Sequence, residues 1–226
     1  MDVTADTPPR RGPLARLLAG YGRLTLFLIP IGIATNFIGG QIASLLKLPM
    51  HLDSIGTILV GALCGGLPGA LVGLLSNLIN AITAPPLLPY ALVSILLGLA
   101  AGLFSRIGAL RTAGKAALTV IPFGLIGGGV GSLITIVVFG GLGSSGVSII
   151  IGALHALGLD LKLAVFVSTL PTDFLDKALT VAVVVLILRR IPTRILVKVP
   201  LGPLYLHRPR RRATLTVPHD DLALEL

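Results

Sequence analysis

The side chains able to do chemistry are sparse and lie in apolar surroundings: Asn36, Gln41, His51, Asp53, Ser54, Ser76, Asn77, Asn80, Tyr90, Asp173, Asp176 and Lys177. Amides, hydroxyls and carboxylates of this kind recognise a solute by hydrogen bonding and charge. In hydrocarbon an uncompensated polar group costs several kcal/mol, so such residues face a bundle interior or a wet cavity. Each also has a structural reading. Asp53 can cap the helix that follows it by accepting from free backbone N–H groups. Asn77 and Asn80 can hydrogen-bond neighbouring helices. Asp173 and Lys177 stand four apart on one helix face and can neutralise each other. That pairing leaves Asp176 alone, the better pointer to a ligand or to another helix. Pro171-Thr172 can restart the helix and make Asp173 a first-turn carboxylate.

Catalytic constellations are weaker. Gly143-Ser144-Ser145-Gly146 has the letters of an intramembrane serine protease, and His155 supplies an imidazole for acyl transfer. Ser145 and His155 lie ten residues apart in what reads as one glycine-rich outer loop, whereas such proteases hold the pair on separate buried helices. The stretch Gly108 to Ala116 approaches a phosphate loop, but its glycine spacing is one too long and Ala116 replaces the magnesium-binding hydroxyl. No Cys/His cluster has metal-ligand spacing and no dinucleotide fingerprint occurs, so neither a metal nor another cofactor is expected. The single Cys64 falls in an apolar segment and reads as inert.

The elements that must position these residues follow from hydropathy. The chain of 226 residues is 54% hydrophobic and 12% charged, with a mean hydropathy of +0.98. Soluble domains carry roughly 25% charged residues, so the expected class is an all-α integral membrane protein. Apolar runs fall at Leu24–Leu46, Leu52–Gly66, Leu67–Ile82, Leu87–Phe104, Ala116–Phe139 and Leu161–Leu188. Gly65-Gly66-Leu67-Pro68-Gly69 breaks the second from the third. Charge supports that break. With six spans, Arg106, Arg111 and Lys115 share a side with both basic ends, as the positive-inside rule prefers. The net charge of +9 thus flanks membrane spans and attracts anionic lipid, and no nucleic acid is expected as a partner. The first apolar run reads as a retained anchor, since no small-residue cleavage site follows it. The expected organisation is a six-transmembrane-helix bundle (24–190) between a basic cytoplasmic segment (1–23) and a basic cytoplasmic tail (191–226). With this topology the polar residues converge on the outer half. Small-xxx-small spacings at Gly39/Ala43 and Gly69/Gly73 suit close helix packing, within the bundle or against another subunit.

Three stretches carry a family likeness: Asn36-x-x-Gly39-Gly40-x-x-Ala43, Leu48-Pro49-x-x-Leu52-Asp53-Ser54-Ile55-Gly56-Thr57, and Gly65-Gly66-Leu67-Pro68-Gly69-Ala70-x-x-Gly73-x-x-Ser76-Asn77. With Asp173-Phe-Leu-Asp176-Lys177 and Arg190-Ile-Pro192 they resemble the substrate-binding S components of energy-coupling factor transporters, over roughly Leu24 to Arg194. The resemblance implies a six-helix receptor in a bacterial plasma membrane that captures a vitamin or similar micronutrient from outside. It also implies a transmembrane coupling protein and two ABC-type ATPases as partners. Carried onto this chain, Gly39 and Ala43 are candidates for the coupling face. Asp173, Asp176 and Lys177 are the later-helix candidates for the pocket, with Asn77, Asn80 and Tyr90 beside them. Trp is absent, unlike members that stack flat vitamins on indole rings, so Tyr90, Phe123, Phe139 or Phe166 would have to stack instead. A membrane sensor or assembly domain without transport is the alternative reading.

Overall fold

The computed structural model describes residues 21–141 and 146–206. Among them every regular element is helical: α1 (Arg23–Leu45), α2 (Ile55–Cys64), α3 (Gly66–Thr83), a 3₁₀ turn (Pro85–Tyr90), α4 (Ala91–Arg106), α5 (Ala113–Gly124), a π-helical turn (Leu125–Val130), α6 (Gly131–Phe139), α7 (Val147–Ala156), α8 (Leu161–Arg190), α9 (Thr193–Leu196) and a last 3₁₀ turn (Gly202–Tyr205). Four stretches are long and apolar enough to cross a membrane: Arg23–Leu45, Gly66–Thr83, Pro85–Arg106 and Ala113–Phe139. Their outer faces show large apolar side chains, Phe27, Ile82 and Val137 among them, each more than half exposed. An all-helical bundle that buries polar groups and presents apolar ones outward is a membrane-embedded protein.

The break expected near Gly65 is present. Gly65 adopts φ +106 and ψ 169, a backbone essentially reserved for glycine, and it turns the chain from α2 directly into α3. The span expected at Leu52–Gly66 is shorter than the hydropathy suggests. α2 has 10 residues, eight of them buried, and at 1.5 Å per residue it reaches only about 15 Å, half of a ~30 Å hydrocarbon core. It is a half-length helix enclosed by α1, α3, α4 and α8.

Missing Cβ atoms allow this enclosure. A Cβ on Gly56 would strike the Gly32 backbone of α1, and one on Gly73 would sit 2.6 Å from the Ser94 carbonyl oxygen of α4. Gly39 and Ala43 are spent the same way. Gly39 packs on the Leu52 backbone and Ala43 is buried, where the chain after α1 folds back and Leu48 N donates to Ala43 O at 2.9 Å.

Contacts of 66 with 99, 69 with 98 and 73 with 94 make α3 and α4 antiparallel, and those of 124 with 174 and 128 with 170 set the α5–π turn rod antiparallel to α8, while Tyr205, just beyond α8, meets Ser105 at the end of α4. Arg23 and Arg190 therefore lie at the same end of the bundle, together with Arg106, Arg111 and Lys115. The tail expected from residue 191 begins later. Leu196 and Val199 belong to the main core, Leu201 N donates to Leu63 O at 2.9 Å, and Tyr205 Oη meets Ser105 Oγ at 2.7 Å. Burial holds the Tyr205 phenol above its usual pKa, with Ser105 and Arg111 pulling the other way. Residues 193–206 close that end of the bundle because apolar positions recur between the basic ones.

Candidate ligand-binding site

The site is organised by one long helix and one irregular segment. Asp160 caps α8, accepting from Lys162 N at 3.0 Å and Leu163 N at 3.2 Å. The helix then runs through Pro171 without restarting, so Asp173 is an interior residue, contrary to the expected first-turn carboxylate. Thr172 Oγ1 donates to the Ser168 and Thr169 carbonyls there, local bonding of the kind that lets membrane helices carry proline.

The pairing within α8 also differs from expectation. Asp176, fully buried, is the engaged carboxylate. Its Oδ1 accepts from His51 N at 3.1 Å and Leu52 N at 2.9 Å, two successive N–H groups arranged as a backbone nest. Its Oδ2 accepts from Lys177 Nζ at 2.5 Å, and the same Nζ donates to Ser54 Oγ at 3.1 Å. Asp173 lies farther off, its Oδ1 3.8 Å from Lys177 Nζ. Sequence spacing favours the i,i+4 pair, but the 51–54 segment brings partners that spacing does not reveal. Leu52 takes φ +50 in this arrangement, a left-handed conformation costing about 1–2 kcal/mol, offset by the bond to Asp176.

Asp53 does not cap α2. Asn36 of α1 does: its Oδ1 accepts from Gly56 N at 2.7 Å and Thr57 N at 3.4 Å. Its Nδ2 donates to Thr57 Oγ1 at 2.8 Å and Ser76 Oγ at 3.0 Å. Asn36 thus satisfies the orphan donors of the buried helix start. Asp53 is left to line a cavity.

That cavity, about 790 Å³ of space between atoms when its solvent-open part is included, is bounded by His51, Asp53, Asn77, Tyr90, Ser94, Gly127, Gly131, Thr135, Ser148, Thr169, Asp173 and Lys177, with Leu87, Val93, Leu97, Val147 and Ile151 as apolar lining. Asn77 Nδ2 is held by Ser94 Oγ at 2.7 Å and Gly73 O at 3.1 Å. Tyr90 Oη and Thr135 Oγ1 share a 2.7 Å hydrogen bond, and the Tyr90 ring stacks on Phe139 with centroids 6.0 Å apart. The π-helical turn places Gly127 against Asp173. A Cβ there would sit 2.6 Å from Asp173 Oδ1, so the glycine makes room for the carboxylate.

Of the expected pocket residues, Asn77, Tyr90, Asp173 and Lys177 are brought together. Asn80 and Asp176 are not among the lining residues; Asn80 is buried and its carbonyl accepts from Thr83 Oγ1. Phe123 is sequestered in the core, edge-on to Phe104, and neither Phe139 nor Phe166 reaches the cavity wall. The outer loop expected around His155 contains a helix instead. Val147 and Ile151 of α7 are buried one turn apart against α8, and ten apolar residues too short to span read as loop. His155 is exposed and its Nδ1 bonds the Leu159 carbonyl at 2.9 Å, closing the end of α7. Gly143, Ser144 and Ser145 lie outside the described residues. Ser94, Gly127, Gly131, Thr135 and Thr169 line the cavity unforeseen; the signal available was small and hydroxyl residues recurring on the faces of α4, the π turn, α6 and α8. No protein-family model, curated protein or solved structure matches the chain.

Proposed function

We propose that this chain is the substrate-binding membrane subunit of an energy-coupling-factor-type importer, capturing a vitamin or related micronutrient from outside the cell. A transmembrane coupling protein and two ABC-type ATPases would drive its delivery. The observation that carries the reading is the cavity between α3, α4, α6, α7 and α8, lined by both polar and apolar side chains, at the bundle end opposite Arg106, Arg111, Arg189 and Arg190. Small-molecule sites have this composition. On this reading the six spans are α1, the half-length α2, α3, α4, the α5–α6 rod and α8, in a bacterial plasma membrane. Arg106, Arg111, Lys115, Arg189 and Arg190 mark the cytoplasmic side, which puts both termini inside and opens the cavity outward. The closed end formed by residues 193–206 is what a receptor needs if it is to hold solute until a partner reorganises it.

The test is a thermal-shift screen of the purified chain against vitamins, purines and amino acids, followed by uptake assays with the coupling module. Stabilisation by one solute, and uptake of that solute only when coupling protein and ATPases are present, is the expected result. No stabilisation by any of them, with or without the coupling module, sinks the proposal. Stabilisation by a solute that is not taken up even with the coupling module present would favour a sensor.

A further inference from the structure

The cavity carries an unbalanced charge, and the imbalance points to the chemistry of its occupant. Two carboxylates, Asp53 and Asp173, line it with one ammonium, Lys177, and with His51, while a third carboxylate, Asp176, engages the lysine from outside the lining. Lys177 is shared: its Nζ is hydrogen-bonded to Asp176 and to Ser54 and reaches Asp173 only as a longer ion pair at 3.8 Å. Asp173 is 5% exposed yet lines the cavity, so water does little to solvate its charge. No arginine is among the described lining residues. A buried carboxylate that shares one ammonium with a closer partner is only partly compensated and gains from a second cation. An anionic ligand would face Asp53 and Asp173 with the lysine already neutralised.

We propose that the cavity binds a small organic cation, its protonated or quaternary nitrogen seated at Asp173 and its apolar body against Leu87, Val93, Leu97 and Ile151. The apolar wall argues for an organic body over a bare metal ion, and the described residues contain no cluster of three or more metal-ligating side chains. Asn77 and Thr135 supply the remaining polar contacts. The inference rests on the reading of this cavity as the receptor's ligand site and narrows it to one substrate class.

The test uses the full chain in nanodiscs of neutral lipid and follows its unfolding temperature. Two charge series serve as probes at millimolar concentration: benzylamine, benzyl alcohol and benzoate; tryptamine, tryptophol and indole-3-acetate. The expected result is stabilisation by the amines, with apparent affinity about tenfold or more above that of the matched alcohols, and none by the acids. Asp173→Asn, which removes a buried charge and should not harm folding, is expected to abolish the difference between amine and alcohol. Equal or greater stabilisation by alcohol or acid overturns the proposal, as does no effect of any amine. An amine preference that survives Asp173→Asn, or the same Asp173-dependent shift from sodium or potassium ions, overturns it too. The amine–alcohol comparison on the unmodified chain stands even if the variant folds poorly. The readout needs no coupling module. A neutral vitamin that binds wild type and Asp173→Asn equally would overturn this inference and leave the receptor reading intact. Amine binding without uptake of any solute would do the reverse.

Discussion

Asp176 and Asp173 are three residues apart on one helix and have opposite fates. Asp176 satisfies Lys177 and two backbone N–H groups at once, so its role is to hold the 51–54 segment against α8. Removing one member of a buried pair leaves the other charge uncompensated, at a cost of about 3–5 kcal/mol. Asp176→Ala is therefore expected to lower the unfolding temperature and the yield of folded protein sharply. Replacing both members, Asp176→Asn with Lys177→Met, should recover most of the loss. A single Asp176→Ala variant as stable as wild type would show that the pair is not structural. Asn36 belongs to the same scale. It makes four hydrogen bonds from one amide, and Asn36→Ala strands two buried N–H groups at about 1–3 kcal/mol each. Melting of the purified variant checks it, and Asn36→Ala matching wild type would rule that role out. Asn36 was legible as a polar residue in a span; its capping of a different helix was not, because a cap reaching across the bundle leaves no local sequence signature.

At the scale of elements, glycine decides where helices meet. Gly56 lies against the Gly32 backbone, whereas a Cβ at Gly129 would meet nothing. Gly56→Ala is expected to destabilise by several kcal/mol through forced separation of α1 and α2, and Gly129→Ala to be close to neutral. Comparable losses at the two positions, measured by thermal unfolding in detergent, would mean that general helix flexibility rather than close approach is at stake. The break at Gly65 was readable because Gly-Gly-Leu-Pro-Gly is strong punctuation. The short reach of α2 and the existence of α7 were not. Hydropathy measures apolarity, and an apolar segment enclosed by protein has the same composition as one crossing lipid.

At the scale of the molecule, Arg23, Arg106, Arg111, Lys115, Arg189 and Arg190 collect at one end, with only Lys47 and Lys162 at the other among the described helix ends, and the cavity lies toward that other end. If the basic end is cytoplasmic, a cysteine at exposed Leu157, in a Cys64→Ala background, should react with an impermeant maleimide in intact cells. One at exposed Arg111 should react only after permeabilisation. The opposite labelling pattern would invert the topology and close the cavity to the outside. The closing segment 193–206 is testable on the same preparation. Tyr205→Phe loses the hydroxyl that meets Ser105 and should cost roughly 1 kcal/mol, visible as earlier proteolysis near residue 200 with little change in ligand-induced stabilisation. Unchanged proteolysis would mean that the apolar anchors Leu196 and Val199 suffice.

Composition and charge by themselves determined that this chain is a helical membrane protein, because 54% hydrophobic residues with charges pushed to the ends admit no soluble arrangement. They also determined that its polar residues would gather, since isolated polar groups are not tolerated in hydrocarbon. Which polar residue does what was decided only by the tertiary structure. Spacing along α8 pairs Asp173 with Lys177. The irregular segment between α1 and α2, some 120 residues away in sequence, delivers Ser54 and two N–H groups that turn the lysine toward Asp176 instead. Hydrogen bonds of that sequence separation depend on how the helices cross. The crossings depend on which glycines lie back to back, and neither is written in any local pattern.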